Sequence, residues 1–317
     1  MILIYYSIIK LVIFSNNIKV YEFLLLYLIT TNLFIDNYSK LIKVMNSNTD
    51  INSVLIQLCL DNGIIKKITK NNKSFLVIDN YQLPDFCPNG FFENHINNGG
   101  MWENNTFQII DYYSNPEGIF IDIGAWLGPF SLYSSKLFKE IYAFEPDRIA
   151  FQSLSNNILL NSFDNITLIE KALADKTGKS DFGGNGDLGN SESTLLVRDI
   201  VSYCKNSSTP GQRGDMEYRN KDIIEVDTIT IEDWCKHYNI NIFNISLIKI
   251  DIEGSEYIVI PAIQNFLRYI KPTLYISIHW CFLQTQDIIE IIDILFEIYP
   301  DRYVFSNNTK YPISKEN

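Results

Sequence analysis

From Gly118 onward, short apolar runs alternate with amphipathic stretches of helical length. That alternation is the pattern of a parallel sheet covered by helices, so the fold class is α/β. Strands are expected at Ile119–Ile123, Ile141–Phe144, Ile166–Ile169, Ile223–Val226, Leu247–Ile250, Thr273–Ile278 and Tyr303–Phe305. Helices are expected around Phe130–Phe138, at Ile149–Leu160, near Ile231–Tyr238, at Glu256–Tyr269 and at Asp287–Ile298. Between the third and fourth strands lies a long polar segment, 179–221, which holds Gly183-Gly184-Asn185-Gly186 and Thr209-Pro210-Gly211. A connection of that length inside a compact domain reads as a lid or a flexible insert.

Upstream of this regular pattern, residues 45–117 read as a lead-in or cap, with a strand at Phe75-Leu76-Val77-Ile78 and turn signals at Asp61-Asn62-Gly63 and Asn98-Gly99-Gly100. Residues 1–44 hold two apolar runs, Ile2–Phe14 and Val20–Ile35, separated by Ser15-Asn16-Asn17. Each is shorter than the roughly 20 residues that cross a bilayer. Neither is followed by a small-residue cleavage site. Met45 before a polar run reads as an alternative start, and three readings stay open: an upstream translated stretch, a membrane anchor or a packed helical hairpin. The domain organisation expected is thus an extension (1–44), a lead-in (45–117) and a main domain (118–317).

Composition narrows the partners. The 317 residues carry 26 Lys+Arg against 37 Asp+Glu, a net charge of -11, which argues against a nucleic-acid partner held by phosphate neutralisation. Contact with a membrane is confined to residues 1–44. The five cysteines are scattered, with no C-x-x-C pair, which suits a reducing, cytoplasmic setting. The abundance of Asn, Ile and Lys reads as AT-rich coding bias.

The chemistry concentrates at strand ends. Ile119–Ile123 runs into Gly124-Ala125-Trp126-Leu127-Gly128, a tight turn opening a helix. Gly124 there removes the Cβ that would block a ligand from the backbone. A dinucleotide site wants G-x-G-x-x-G, but this turn has two glycines and is led by Asp122, which repels a pyrophosphate and suits a cationic ligand such as S-adenosylmethionine. Glu145, ending the next strand about 20 residues on, is placed to accept hydrogen bonds from ribose hydroxyls. Asp251 and Glu253 leave the strand Leu247–Ile250 at the same edge, where they suit holding substrate, steering a methylsulfonium or accepting a proton. Glu256, at a helix start, reads as complementing the helix dipole.

Taken together, Asp122-Ile-Gly-Ala…Gly128, Ala143-Phe-Glu-Pro146, Asn156-Asn157…Asn161, Lys171-Ala172-Leu173 and Lys249-Ile-Asp-Ile-Glu-Gly-Ser-Glu256 resemble the FkbM methyltransferases, over roughly Gly118 to His279. The resemblance implies a Rossmann-like, mostly parallel seven-stranded sheet with helices on both faces. It implies S-adenosyl-L-methionine as donor and O-methylation of a small-molecule or carbohydrate acceptor. By motif, Asp122, Gly124 and Ala125 would lie along the methionine part of the cofactor, with Gly128 and Ala172 in the same cofactor set. Glu145 would bind ribose and Asp251 would border the reacting methyl. The sequence departs from the family at three points: Trp126 stands where Asn is usual, Pro261 interrupts the helix after Glu256, and His279 stands where glutamate is common.

Of three histidines, His279 ends a strand at the edge shared with Asp122 and Asp251, which makes it the candidate base; His95 is in the lead-in and His237 on a helix surface. No His/Asp/Glu group has metal-ligand spacing along the chain, so no metal is expected. The rival reading is a catalytically inactive methyltransferase fold kept as a binding or scaffold module.

Overall fold

The computed structural model describes residues 51–61, 63–79, 90–184, 188–195, 223–279, 282–306 and 309–312. It divides into two compact units, Met1–Gly100 with Asn156–Ser162, and Met101–Ser155 with Phe163–Asn317. The apolar runs of 1–44, Met45, and residues 185–187 and 196–222 of the expected lid lie outside the described residues. Among the described residues no helix is long and apolar enough to cross a membrane.

In the first unit, helix α1 (Ile51–Asp61) leads into the antiparallel hairpin β1 (Ile65–Lys70) and β2 (Lys73–Ile78), followed by the short helix α2 (Phe91–His95). The hairpin turns on Asn71 and Asn72, both at positive φ (46° and 62°), as a two-residue loop twisted like its strands requires. Asn is the non-glycine residue that tolerates this region best. Two asparagines at the end of helix Arg148–Asn161 complete the edge of β2: Asn157 accepts from the Ile78 N–H, and Asn161 accepts from the Leu76 N–H while donating to the Leu76 carbonyl. The Asn156-Asn157…Asn161 motif is therefore a clamp on a sheet edge. Asp79 caps α2 through the N–H groups of Phe92 and Glu93, and burial pushes its carboxyl up to about 6.

The second unit runs α3 (Asn104–Tyr112), β3 (Asn115–Ile123), α4 (Pro129–Ser134), β4 (Phe138–Phe144), α5 (Arg148–Asn161, through residue 155 in this unit), β5 (Ile166–Ile169), β6 (Ala172–Leu173), β7 (Gly178–Gly184), β8 (Ser193–Thr194), β9 (Ile224–Ile229), α6 (Ile231–His237), β10 (Ile245–Ile250), α7 (Glu256–Ile270), β11 (Thr273–Ile276), α8 (Thr285–Ile298), β12 (Tyr303–Ser306) and β13 (Thr309–Pro312). Its central sheet has the order β11-β10-β3-β4-β5 with every pair parallel. The last six residues of β3, Gly118–Ile123, are all buried, as a strand covered on both faces must be. Trp234, Ile248, Val259, Ile263 and Leu267 pack into the main core against it.

The described central sheet thus has five strands, and two of the seven expected strands pair elsewhere. β9 joins β6, β7 and β8 in a second, mixed sheet, and β12 pairs antiparallel with β13. The reason for β9 is in its sequence: Ile224-Glu225-Val226-Asp227 alternates apolar and polar, which suits a sheet with one dry face. That face meets Ala172 and Phe182. The segment 178–184, placed within the expected insert from residue 179, is strand β7 of the same sheet. Helix α4 stops at Ser134, short of the expected Phe138, because Phe138 already opens β4. Pro261 does not interrupt α7, which runs unbroken from Glu256 to Ile270. One lost backbone bond is outweighed there by the buried stripe Val259, Ile260, Ile263 and Leu267.

Trp234 is fully buried, edge-on to Tyr142 and Phe144, and its indole N–H has no hydrogen-bond partner among the described residues. Trp234→Ala should cost about 3–5 kcal/mol in urea unfolding of the full chain. Trp234→Phe should cost clearly less, since it also removes an unsatisfied donor. Equal losses in the two variants would contradict this account of the core.

Candidate active site

The strand order changes direction between β3 and β10: the chain steps outward through β4 and β5, then returns to the other side of β3. Ligands of open parallel sheets bind outside the carboxyl ends of strands at such a switch point. A pocket opens there. Its walls include Gly124 after β3, Glu145 after β4, Ala172 on β6 and Asp251 after β10. Asn190, Ser191, Ser193, Thr194 and Leu195 form another part of its wall.

Gly124 has φ +79°, and a Cβ there would sit 2.0 Å from the Asp251 carbonyl oxygen. The immediate demand for glycine is therefore the neighbouring strand's backbone, where a ligand was expected to impose it. The turn is then sewn to β4, as the N–H groups of Gly124 and Ala125 both donate to the Phe144 carbonyl. Gly128, also at positive φ, faces Leu154, where a Cβ would come within 2.1 Å of a methyl carbon. Trp126 is at φ 50°; its backbone N–H donates to Glu145 and its indole N–H to the Gly189 carbonyl, each at 2.7 Å. The Gly189 N–H in turn donates to Asp147. At the other end of this strand-like strap, Ser255 Oγ bonds Thr194 Oγ1 and accepts from the Leu195 N–H.

Glu145 accepts one backbone N–H on each oxygen, from Trp126 and Asp147, which leaves acceptor capacity on both. Burial pushes its carboxyl up to about 8, against those two hydrogen bonds. Beneath the pocket floor lies a buried charge cluster. Lys249, 1% exposed near the carboxyl end of β10, reaches Asp122 at 3.1 Å, Asp251 at 3.6 Å and the Gly124 carbonyl at 3.0 Å. Ser131 donates to the other oxygen of Asp122. Burial opposes the charge on Lys249, but Asp122 and Asp251 more than offset it and hold the ammonium above its ordinary value.

A third cluster sits where β10 and β11 end. Glu256, fully buried at the start of α7, accepts from the Ile252 and Gly254 N–H groups and bonds His279 Nδ1 at 3.0 Å. It closes the turn and orients the imidazole, beyond the dipole role expected of it. His279 Nε2 then faces Asp251 Oδ1 and Glu253 Oε1, each at 3.4 Å. Burial disfavours the imidazolium, but the bond to Glu256 and the charges of Glu256, Glu253 and Asp251 prevail and push His279 up to about 9. Burial lifts Glu253 to about 7 despite His279 beside it.

Of the residues expected at a site, the structure brings Gly124, Glu145, Ala172, Asp251 and Glu253 to the pocket wall, with His279 against the last two. Asp122, Ala125 and Gly128 are not on that wall; Asp122 is wholly enclosed against Lys249 and Ser131. Lys249, Asp147 and Ser255 were not singled out as site residues. The signal for Lys249 was available, a lysine inside the apolar run Leu247–Ile250.

A parallel sheet accompanied by helices, with acids following two of its strands on the wall of a pocket at the switch point, is a Rossmann-like architecture. The chain belongs to the FkbM methyltransferase family: the model of the methyltransferase FkbM domain matches residues 122–305, more than half of its length. It accordingly carries a methyltransferase domain, a class whose cofactor is S-adenosylmethionine. No curated protein matches the sequence. Among solved structures, it is similar to an rRNA methylase from Streptococcus thermophilus, with 20% identity over 22% of this chain and 42% of that one, at a TM-score of 0.21. The chain thus spans about two fifths of that protein's length. It is also similar to a precorrin-6y C5,15-methyltransferase from Geobacter metallireducens, with 10% identity over 69% of this chain and 88% of that one, at a TM-score of 0.33. A precorrin 8W decarboxylase from Methanobacterium thermoautotrophicum gives 15% identity over 70% and 92%, at 0.29.

The buried ion pair generates a clear expectation. Lys249→Met leaves Asp122 enclosed and unpaired, which should cost about 3–5 kcal/mol in urea unfolding. Adding Asp122→Asn to that variant should recover a good part of the loss, because the uncompensated charge goes with it. A double variant no more stable than Lys249→Met alone would show that the pair carries no such coupling.

Proposed function

We propose that this methyltransferase acts on a hydroxyl oxygen of a small molecule or carbohydrate. The observation that carries the reading is the gathering of Asp251, Glu253 and His279 beside the pocket, three polar groups able to hold a hydroxyl, two of them carboxylates of the kind that can take its proton. The net charge of -11 supports an acceptor without a phosphate backbone. The scattered cysteines, of which Cys59 and Cys235 are free, suit the cytoplasm.

The pocket residues fit the cofactor. Glu145 keeps acceptor capacity for two ribose hydroxyls, and Ala172 leaves room beside it. Gly124 presents bare backbone at the switch point, with Asp122, Ala125 and Gly128 shaping the turn from behind. S-adenosylmethionine, when bound, supplies a methyl activated by its sulfonium. Asp251 and Glu253 then orient the acceptor hydroxyl, while the strap pinned by Trp126, Asp147 and Ser255 limits water at the same wall. Positioning of this kind accounts for a large share of the rate of an in-line displacement.

Two measurements test this. With a panel of hydroxyl, amine and carbon acceptors, Asp251→Asn should lower turnover on a hydroxyl roughly 10²- to 10⁴-fold. Its affinity for S-adenosylhomocysteine by calorimetry should stay within a few-fold of wild type. Transfer confined to nitrogen or carbon would overturn the acceptor class. The second measurement concerns pH. Ribose hydroxyls donate to the charged form of Glu145, whose carboxyl is protonated below about 8 in the free protein. Affinity for S-adenosylhomocysteine should therefore weaken as pH falls below about 8, by at most tenfold per unit. Glu145→Gln should bind more weakly at high pH and lose that dependence; an unchanged profile would remove Glu145 from the ribose site.

A further inference from the structure

We propose that Asp251, Glu253 and His279 bind a divalent cation at the pocket edge. The three donor atoms lie within 4.8 Å of one another, and His279 Nε2 stands 3.4 Å from both Asp251 Oδ1 and Glu253 Oε1. Ligands at ~2.1 Å from one ion are spaced about 3.0–3.4 Å apart in octahedral to tetrahedral geometry. Neither Nε2 contact is a hydrogen bond, whereas Nδ1 is bonded at 3.0 Å to Glu256. That is the arrangement of a metal-binding histidine: Nδ1–H donates to a buried carboxylate, and Nε2, on giving up its proton as a cation binds, would be the ligand atom. The supporting carboxylate is itself fixed, since Glu256 is fully buried and takes the Ile252 and Gly254 N–H groups. Lys249 stands nearest the other oxygen of Asp251, Oδ2, leaving Oδ1 to the cluster.

Two carboxylate oxygens and one imidazole nitrogen suit Mg²⁺, Mn²⁺ or Fe²⁺. Asp251 and Glu253 lie on the pocket wall, so the open coordination positions would face the acceptor. On the methyl-transfer reading, on which the catalytic role rests, the acceptor hydroxyl binds the cation and gives its proton to water. Its oxygen then forms the bond to the methyl carbon as the carbon–sulfur bond breaks. The electron pair stays on sulfur, and S-adenosylhomocysteine leaves. The sequence spacing that argued against a metal is bridged by the fold, which brings His279 from the end of β11 to residues that follow β10.

Titrating MnCl₂ into the chelator-treated full chain, with free Mn²⁺ followed by electron paramagnetic resonance, tests the site. One ion per chain is expected, with affinity at least tenfold lower in Glu253→Gln and in His279→Ala. Calorimetry with S-adenosylhomocysteine on the same samples should give wild-type affinity, which shows that both variants are folded. No Mn²⁺ uptake by wild type, or equal uptake in all three proteins, overturns the cation site. Hydroxyl methylation that proceeds at full rate in excess chelator would overturn its catalytic role while leaving the acceptor class standing. One bound Mn²⁺ with transfer only to nitrogen would do the reverse.

Discussion

The ammonium of Lys249 joins two strand ends whose carboxylates would otherwise repel. It lies between Asp122 at the end of β3 and Asp251 just past β10, and also holds the Gly124 carbonyl of the intervening turn. A charge so deeply enclosed is costly unless fully compensated, and breaking such a pair costs more than forming it gains. The consequence is geometric. With the cation fixed, the Asp251 carboxylate is held at the pocket wall, and the Gly124 turn is pressed against the Asp251 backbone so closely that no Cβ fits between them. One buried interaction thus sets the floor of the pocket and aims one of its acids.

The second constraint starts at a helix end. The first turn of α7 leaves N–H groups without intrahelical partners, and Glu256 turns back to satisfy those of Ile252 and Gly254 in the preceding turn. That turn carries Glu253 at φ 53°, a left-handed conformation that a non-glycine residue holds only when its surroundings fix it. The same Glu256 carboxylate bonds His279, so the helix start, the strained turn and the imidazole move as one body. The Asp251–Glu253–His279 group is consequently preorganised by two buried side chains, Lys249 and Glu256.

Much of the central sheet was legible because its strands are continuous apolar runs, which only a doubly covered sheet can bury. Ile119–Ile123, Ile141–Phe144, Ile166–Ile169 and Leu247–Ile250 were found with shifts of a few residues at their ends. What periodicity does not encode is the partner of a strand. The strand expected at Ile223–Val226, found at Ile224–Ile229, gave no sign that it would pair with the polar segment before it, since the sequence from Lys179 onward looks like an insert. The acids at strand ends were legible as a set, for a carboxylate following an apolar run has little other use there. Which of them face the pocket was not, because Asp122 and Asp251 look alike along the chain, while in the fold Asp122 is enclosed and Asp251 lies on the pocket wall.

Trp126 shows how a departure from a family pattern becomes structure. A bulky indole at a cofactor turn, where Asn is usual, reads as crowding. In the fold its backbone N–H instead goes to Glu145 and its ring N–H reaches across to Gly189. That second bond helps anchor the segment that forms one wall of the pocket, and Asp147 and Ser255 hold the same segment at its two ends. Glu145 and this wall of the pocket are therefore tied to a single residue. A change in the wall would be felt at Glu145 through Trp126, so the shape of the pocket and the placement of its most deeply buried carboxylate are mechanically one element.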